Sequence, residues 1–194
     1  MLFEFVQILY WLSLSTWFGG VLFVLLAPPI ILKTVRESNP LLPLVFSVNL
    51  EGQHGTLLAG SIVSNLLGPV IKAELACAAV MFVAMVGQWF MVDVYGFAVI
   101  QPILRSAMFL AAAIFVIYNW RSVWPKVLHY RQEYLDNADD PDKANPALDQ
   151  FDRYQTESLI IVRNVLFLLL GIILFSANIL PAPIHFSASL LSAR

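Results

Sequence analysis

Four apolar runs, each long enough to cross a bilayer, constrain this chain more than any other feature of its sequence. They cover about residues 5–26, 69–92, 102–120 and 163–180, and the hydrocarbon core of a bilayer needs roughly 20 mostly apolar residues per helix. Only 12% of the residues are charged, which is about half the share found in soluble domains. The sequence therefore predicts an all-α membrane protein, with residues 1–194 forming a single bundle of four transmembrane helices.

Prolines punctuate these runs and suggest where the helices begin and end. Proline is favoured at the first position of a helix, where its missing N–H would have no intrahelical partner. Prolines stand at three predicted helix starts: Pro69, Pro102 and Pro146. Asn145, just before Pro146, is a good N-cap residue. Pro28 and Pro29 are expected to close the first helix, and Pro125 to kink the third.

Helical periodicity continues beyond the third and fourth apolar runs. Leu148, Phe151 and Leu159 hold one helical face that leads into the fourth run. We therefore expect helices three and four to extend into the cytoplasm as an antiparallel hairpin over about residues 121–162. The segment before the second run is apolar but broken by proline and glycine, and its part from about residue 53 to 67 is predicted to be an interfacial amphipathic helix.

Basic residues predict the orientation of the bundle. With four spans, the first and third connections share one side, and they carry most of the positive charge: Lys33, Arg36, Arg121, Lys126, Arg131, Lys143 and Arg153. The other side has Arg105 and Arg194. The positive-inside rule then places both termini outside the cytoplasm, in a plasma membrane or a bacterial inner membrane. The start of the chain is acidic at Glu4, so we expect the first helix to be retained and not cleaved as a signal peptide.

Four short motifs occur in order over roughly residues 15–180. They are Trp17-Phe18-Gly19-Gly20 leading to Ala27-Pro28; His54, Gly60, Ser64, Leu67 and Pro69; Asn119-Trp120-Arg121 with Pro125; and Phe151-Asp152-Arg153-Tyr154-Gln155 leading to Ser158 and Asn164. Together they resemble the transmembrane protein 205-like family. The resemblance implies a small four-helix membrane protein without assigned catalysis. Gln155 departs from the pattern, because relatives often have histidine there.

Soft-metal handling is one function that the second helix suggests. Cys77, Met81 and Met85 recur every four residues, so they lie along one stripe of a helix. Thiolate and thioether sulfur atoms suit copper(I) and similar ions. The same residues also serve as ordinary packing residues in apolar helices, which is the simpler interpretation.

Redox chemistry is a second alternative. The first helix is similar to that of membrane-bound porphyrinogen oxidases, but Tyr10 stands where those proteins carry histidine. The three histidines, His54, His129 and His185, all lie outside the predicted spans, so a haem held by two histidines is not expected. Nucleophile motifs and phosphate-binding glycine loops are missing from the sequence, as are basic runs for nucleic acid. We therefore expect no enzyme activity, no cofactor and no nucleic-acid partner.

Charged residues near the spans are predicted to be interfacial. Lys72, Glu74 and Arg163 fall at the predicted cytoplasmic boundary, and Arg105 falls near the start of the third helix. Long side chains at such positions extend their charged ends to the headgroups. On this interpretation they anchor the bundle in the bilayer and do not form a transport site.

Small residues on the first helix indicate close helix packing. Ser15 and Gly19, and likewise Thr16 and Gly20, are spaced four residues apart, which lets two helices approach closely in lipid. Packing within the chain is the simpler interpretation, and a partner's helix is the alternative. The leading hypothesis is a non-catalytic accessory or stabilising subunit of a larger membrane assembly, bound to a membrane-protein partner or to further copies of itself.

Overall fold

The computed structural model describes residues 2–38, 54–91, 100–137 and 140–177. Within them the helices are α1 (Leu2–Ser38), α2 (His54–Met91), α3 (Ile100–Tyr118), a π-helical turn (Asn119–Val123), α4 (Trp124–Asp136) and α5 (Pro141–Ala177). Parts of the predicted segments lie outside the described residues, namely residues 53, 92 and 178–180. His185 and Arg194 lie outside them as well.

Four helical stretches of the described chain are long and apolar enough to cross a membrane. They are Leu2–Ile31, Asn65–Phe90, Ile100–Asp136 and Pro141–Ser176. Their outward faces carry large apolar side chains, among them Val83, Phe90, Ile114 and Leu174, which water would disfavour and lipid accepts. This confirms the predicted all-helical architecture with four apolar spans.

The four long helices alternate in direction around a shared core. α1 packs mainly on α2 and α3 mainly on α5, with a smaller contact between α1 and α5. Hydrogen bonds place the start of α1 beside the end of α2 and the end of α5. The core between the helices is built of tightly enclosed apolar side chains, including Leu14, Trp17, Met81, Leu169 and Ile172.

α1 and α2 continue through prolines at which the sequence suggested helix boundaries. α1 runs through Pro28 and Pro29 to Ser38. α2 runs through Pro69, so the predicted interfacial segment is the first part of one long helix. Each proline removes one backbone hydrogen bond, but Val63 before Pro69 is buried in the main core. Packing against the other helices therefore keeps the part of α2 before Pro69 helical and continuous with the rest.

The second half of the chain forms a long antiparallel hairpin. Ile100–Asp136 and α5 are each 37 residues long, or about 55 Å at 1.5 Å per residue, against about 30 Å for a bilayer core. Contacts along the hairpin include a stack of Tyr130 on Tyr154, with ring centroids 5.5 Å apart. α5 begins at Pro141, so proline does occupy the first helical position, one proline earlier than predicted.

A π-helical turn lies just before Pro125, and the kink predicted there stays a prediction. The Trp124 backbone N–H donates to the Asn119 carbonyl across this turn, and Pro125 itself has no N–H to donate. The side of the membrane on which the hairpin lies stays a prediction.

Candidate functional site

A polar cluster lies inside the bundle near the end where α1 begins. Tyr10 on α1 is fully buried, and its hydroxyl lies 2.6 Å from Ser176 Oγ on α5, which is also buried. Arg105 on α3 is only 4% exposed, and its guanidinium carbon lies 5.0 Å from the centre of the Tyr10 ring. Three helices thus bring two hydroxyls and one cation together in an apolar interior.

The charge of Arg105 is incompletely compensated. A cation over an aromatic face is attracted by about 2 kcal/mol when water is excluded, but burying an ion costs several kcal/mol. Among the described residues, no carboxylate forms an ion pair with Arg105, and its Nε is buried without a hydrogen-bond partner. The cluster therefore has unused donor capacity, which suits an oxyanion.

A pair of hydrogen-bonded glutamines lies near the same polar cluster. Gln88 Nε2 on α2 donates to Gln7 Oε1 on α1 over 2.8 Å, and Gln7 lies one turn before Tyr10. Gln88 Oε1 is buried without a partner, and so is Trp17 Nε1 further along the core face of α1. Two of the buried side-chain atoms without a partner in the described residues, Gln88 Oε1 and Arg105 Nε, thus lie at this end of the bundle.

A second set of buried polar residues lies toward the hairpin. Glu74, Asn119 and Ser158 are all buried, and Asn119 Oδ1 has no hydrogen-bond partner. Asn119 lies about 21 Å from Arg105 along the helix axis. That distance is shorter than the thickness of a bilayer core, and apolar side chains fill the space between the two sets.

The four residues predicted to be interfacial charges divide into two groups. Lys72 and Arg163 are exposed, as expected for side chains that extend to headgroups. Glu74 and Arg105 are each 4% exposed and point into the bundle. Sequence reasoning did not separate the two groups, because all four residues stand near the ends of apolar runs.

The soft-metal stripe lies largely in the core. Met81 and Met85 are buried among apolar side chains, and Cys77 is half-buried beside them. The described residues contain no group of three or more His, Cys, Asp or Glu side chains arranged to hold a metal. The methionines have the environment of packing residues, and whether the stripe binds a metal stays a prediction.

The small residues of α1 point away from the bundle. Ser15, Thr16 and Gly19 are exposed, and Gly20 is half-buried. A Cβ atom added at Gly19 or Gly20 would meet no other atom within 4 Å. Among the described residues, this patch is therefore not used to pack the chain's own helices.

Comparison with known protein families, with curated proteins and with solved structures finds no match for this chain. The resemblance to the transmembrane protein 205-like family therefore stays a prediction. Gln155, the departure from that family's pattern, is half-buried on α5. Two features of the structure bear on function: the outward face of α1 and the buried polar cluster.

Proposed function

We propose that this protein is a non-catalytic subunit of a membrane assembly, which binds a transmembrane helix of a partner protein along the outward face of α1. The observation that carries the proposal is the open space at Gly19 and Gly20. Small residues let two helix backbones approach closely in lipid, and close packing is the main attraction between helices there. A patch of this kind turned away from its own bundle suits a second helix.

The residues around the patch continue the same face in both directions. Exposed residues recur at alternating spacings of four and three: Ile8, Leu12, Ser15, Gly19, Leu22 and Leu26. This spacing is that of a left-handed helix pair, in which side chains of one helix fit between those of the other. Ser15 and Gly19, the small members, stand in the middle of the series, where the two backbones would come closest.

A surface groove extends the same face toward the start of α1. It is shallow and open, and its exposed surface is mostly apolar although three of its residues are polar: Phe3, Glu4, Gln7, Ile8, Trp11, Leu12 and Ser15. The Ser15 hydroxyl donates to the Leu12 carbonyl of its own helix over 3.1 Å. It therefore presents no unsatisfied donor to an approaching apolar helix.

Association is tested by widening the small position. Gly19→Leu should abolish co-purification of a partner in mild detergent, because a large side chain holds the two backbones apart. The matched control is Ala107→Leu, which enlarges an exposed small residue on α3. Residue 19 is exposed and a Cβ there meets no atom within 4 Å, so the fold of the variant should be unchanged by circular dichroism.

The outcomes separate the alternatives. A particle that is monomeric in mild detergent and carries no partner would contradict the proposal. So would a partner retained equally by the Gly19→Leu and Ala107→Leu proteins. A dimer of this chain that dissociates only in Gly19→Leu would instead identify a second copy as the occupant of the face.

A further inference from the structure

Arg105 is a cation enclosed in the apolar interior of the bundle, and association through α1 gives it no role. An ionised side chain withdrawn from water is strongly disfavoured unless an opposite charge or hydrogen-bond acceptors face it. Ionisable residues inside a membrane protein accordingly mark functional sites more often than structural ones. The groups that face Arg105 therefore decide what it can bind.

The described neighbours of Arg105 satisfy only part of its guanidinium. The Tyr10 ring contributes a cation–π contact at 5.0 Å, and the Tyr10 hydroxyl lies close enough to interact with the guanidinium. Arg105 Nε has no partner. The Tyr10 and Ser176 hydroxyls carry two protons between them, and their mutual hydrogen bond uses one. One O–H donor thus remains beside an incompletely paired cation, and both are groups that bind oxyanions.

The position of the cluster indicates where a ligand would enter. α2 and α3 contact each other little, and one hydrogen bond joins them near Arg105, from Trp89 Nε1 to Ser106 Oγ over 3.3 Å. Arg105 lies about 8 Å along α3 from Ile100 at 1.5 Å per residue. A lipid headgroup near the end of the bundle would have to reach only that depth through the sparse α2–α3 contact.

We propose that Arg105, Tyr10 and Ser176 bind the anionic headgroup of a membrane lipid, a phosphate or carboxylate oxyanion, inside this end of the bundle. The planar guanidinium matches two oxygens of such a group with parallel hydrogen bonds. The hydroxyl group whose O–H is still available donates to a third oxygen of the headgroup, or to one of the two oxygens that the guanidinium already binds. The acyl chains stay in the bilayer outside α2 and α3, which present exposed apolar residues there, such as Phe90 and Ile103.

The test measures thermal unfolding of the purified full chain in a maltoside detergent. Phosphatidylglycerol, phosphatidylcholine and inorganic phosphate are each titrated separately. Phosphatidylglycerol should raise the Tm saturably, and the other two should not. Arg105→Gln should weaken the apparent phosphatidylglycerol affinity about 10- to 100-fold, as expected for loss of a charge-assisted hydrogen-bond pair. Arg105→Lys keeps the positive charge but loses the planar guanidinium that binds two oxygens at once. Its loss of phosphatidylglycerol affinity should be intermediate.

The control is Arg163→Gln, which removes an exposed cation from α5 and should leave the affinity unchanged. Among the described residues no carboxylate pairs with Arg105, so Arg105→Gln leaves no opposite charge buried and uncompensated and should fold. If it does not fold, Tyr10→Phe and Ser176→Ala carry the test, each with a several-fold loss of affinity.

Three results would overturn the proposal. One is an equal phosphatidylglycerol response in the wild-type and Arg105→Gln proteins. Another is an equal loss in Arg163→Gln, which would show that the lipid responds to surface charge in general. The third is the absence of any lipid response in the wild-type protein, which would leave Arg105 with a structural role. Stabilisation by inorganic phosphate alone would overturn the lipid assignment and indicate a site for a free oxyanion.

Discussion

Gly171 and Met108 mark a point where α5 and α3 are in close contact, and adding one methyl group there tests the packing directly. A Cβ at residue 171 would lie 2.7 Å from Met108 Sδ and 3.0 Å from Met108 Cε. Favourable contacts between carbon and its neighbours lie near 3.5–4.0 Å, so the Met108 side chain would have to move by about 1 Å. Gly171→Ala should therefore create a local clash.

The size of the effect follows from two opposing terms. Overpacking a well-filled core costs about 1–3 kcal/mol, and the flexible methionine keeps the cost toward the lower end. Alanine favours a helix interior by about 1 kcal/mol over glycine. Gly20→Ala has the gain in helix propensity without the overpacking cost, because its Cβ meets open space. The two variants should thus differ by about 1–3 kcal/mol in the free energy of unfolding, with Gly171→Ala the less stable.

The measurement is reversible unfolding in mixed micelles, followed by tryptophan fluorescence at a protein concentration at which the chain is monomeric. In a Met108→Ala background the Cβ has no methionine to clash with, so Gly171→Ala should become stabilising, as Gly20→Ala is. Equal unfolding free energies for Gly171→Ala and Gly20→Ala would refute the close approach of α3 and α5 at this level. So would a Met108→Ala background that fails to rescue the alanine variant.

Three shorter predictions concern other contacts. In a double-mutant cycle, Tyr10→Phe and Ser176→Ala should show a coupling of about 0.6 kcal/mol, the average for hydrogen bonds between membrane helices, and at most about 1.7 kcal/mol; no coupling would contradict their 2.6 Å contact. The hydrogen bond from Lys143 holds the pKa of Asp140 below its ordinary 3.8, so the ion pair supports the start of α5 above that pH. Amide protection there should fall as the pH drops further, and Asp140→Asn should remove this dependence. Met81→Leu conserves volume in the core and should change the unfolding free energy by under about 1.5 kcal/mol, whereas a larger loss together with lost copper binding would favour the soft-metal alternative.

The number of spans could be predicted because it depends on apolar length alone. The helix ends could not, since Pro28 and Pro69 signal breaks that the structure does not have. A proline inside a helix loses one hydrogen bond, and helices of a membrane protein tolerate it where neighbouring elements satisfy the freed groups. The balance is set by contacts such as that of Val63 in the core, which a local sequence pattern does not contain.

The buried cluster was missed for a different reason. In a soluble protein an apolar stripe identifies the inward face of a helix, but the lipid-facing side of a membrane helix is equally apolar. Arg105 near the start of α3 therefore looked like a side chain reaching for headgroups. A usable signal was present on α2, where Glu74 and Gln88 fall on about the same helical face at 100° per residue. Both are buried, so on α2 these two polar residues indicate the inward face, whereas Ser15 and Thr16 on α1 are exposed.

The two proposals use opposite faces of α1 and can therefore be tested separately. Tyr10 and Gly19 are nine residues apart, which places them about 180° apart around the helix, and the first is buried while the second is exposed. Gly19→Leu should abolish partner binding without changing the response of Tm to phosphatidylglycerol. Arg105→Gln should do the reverse. If each substitution impaired both properties, α1 would have to move when either ligand binds, and its two faces could no longer be treated as independent sites.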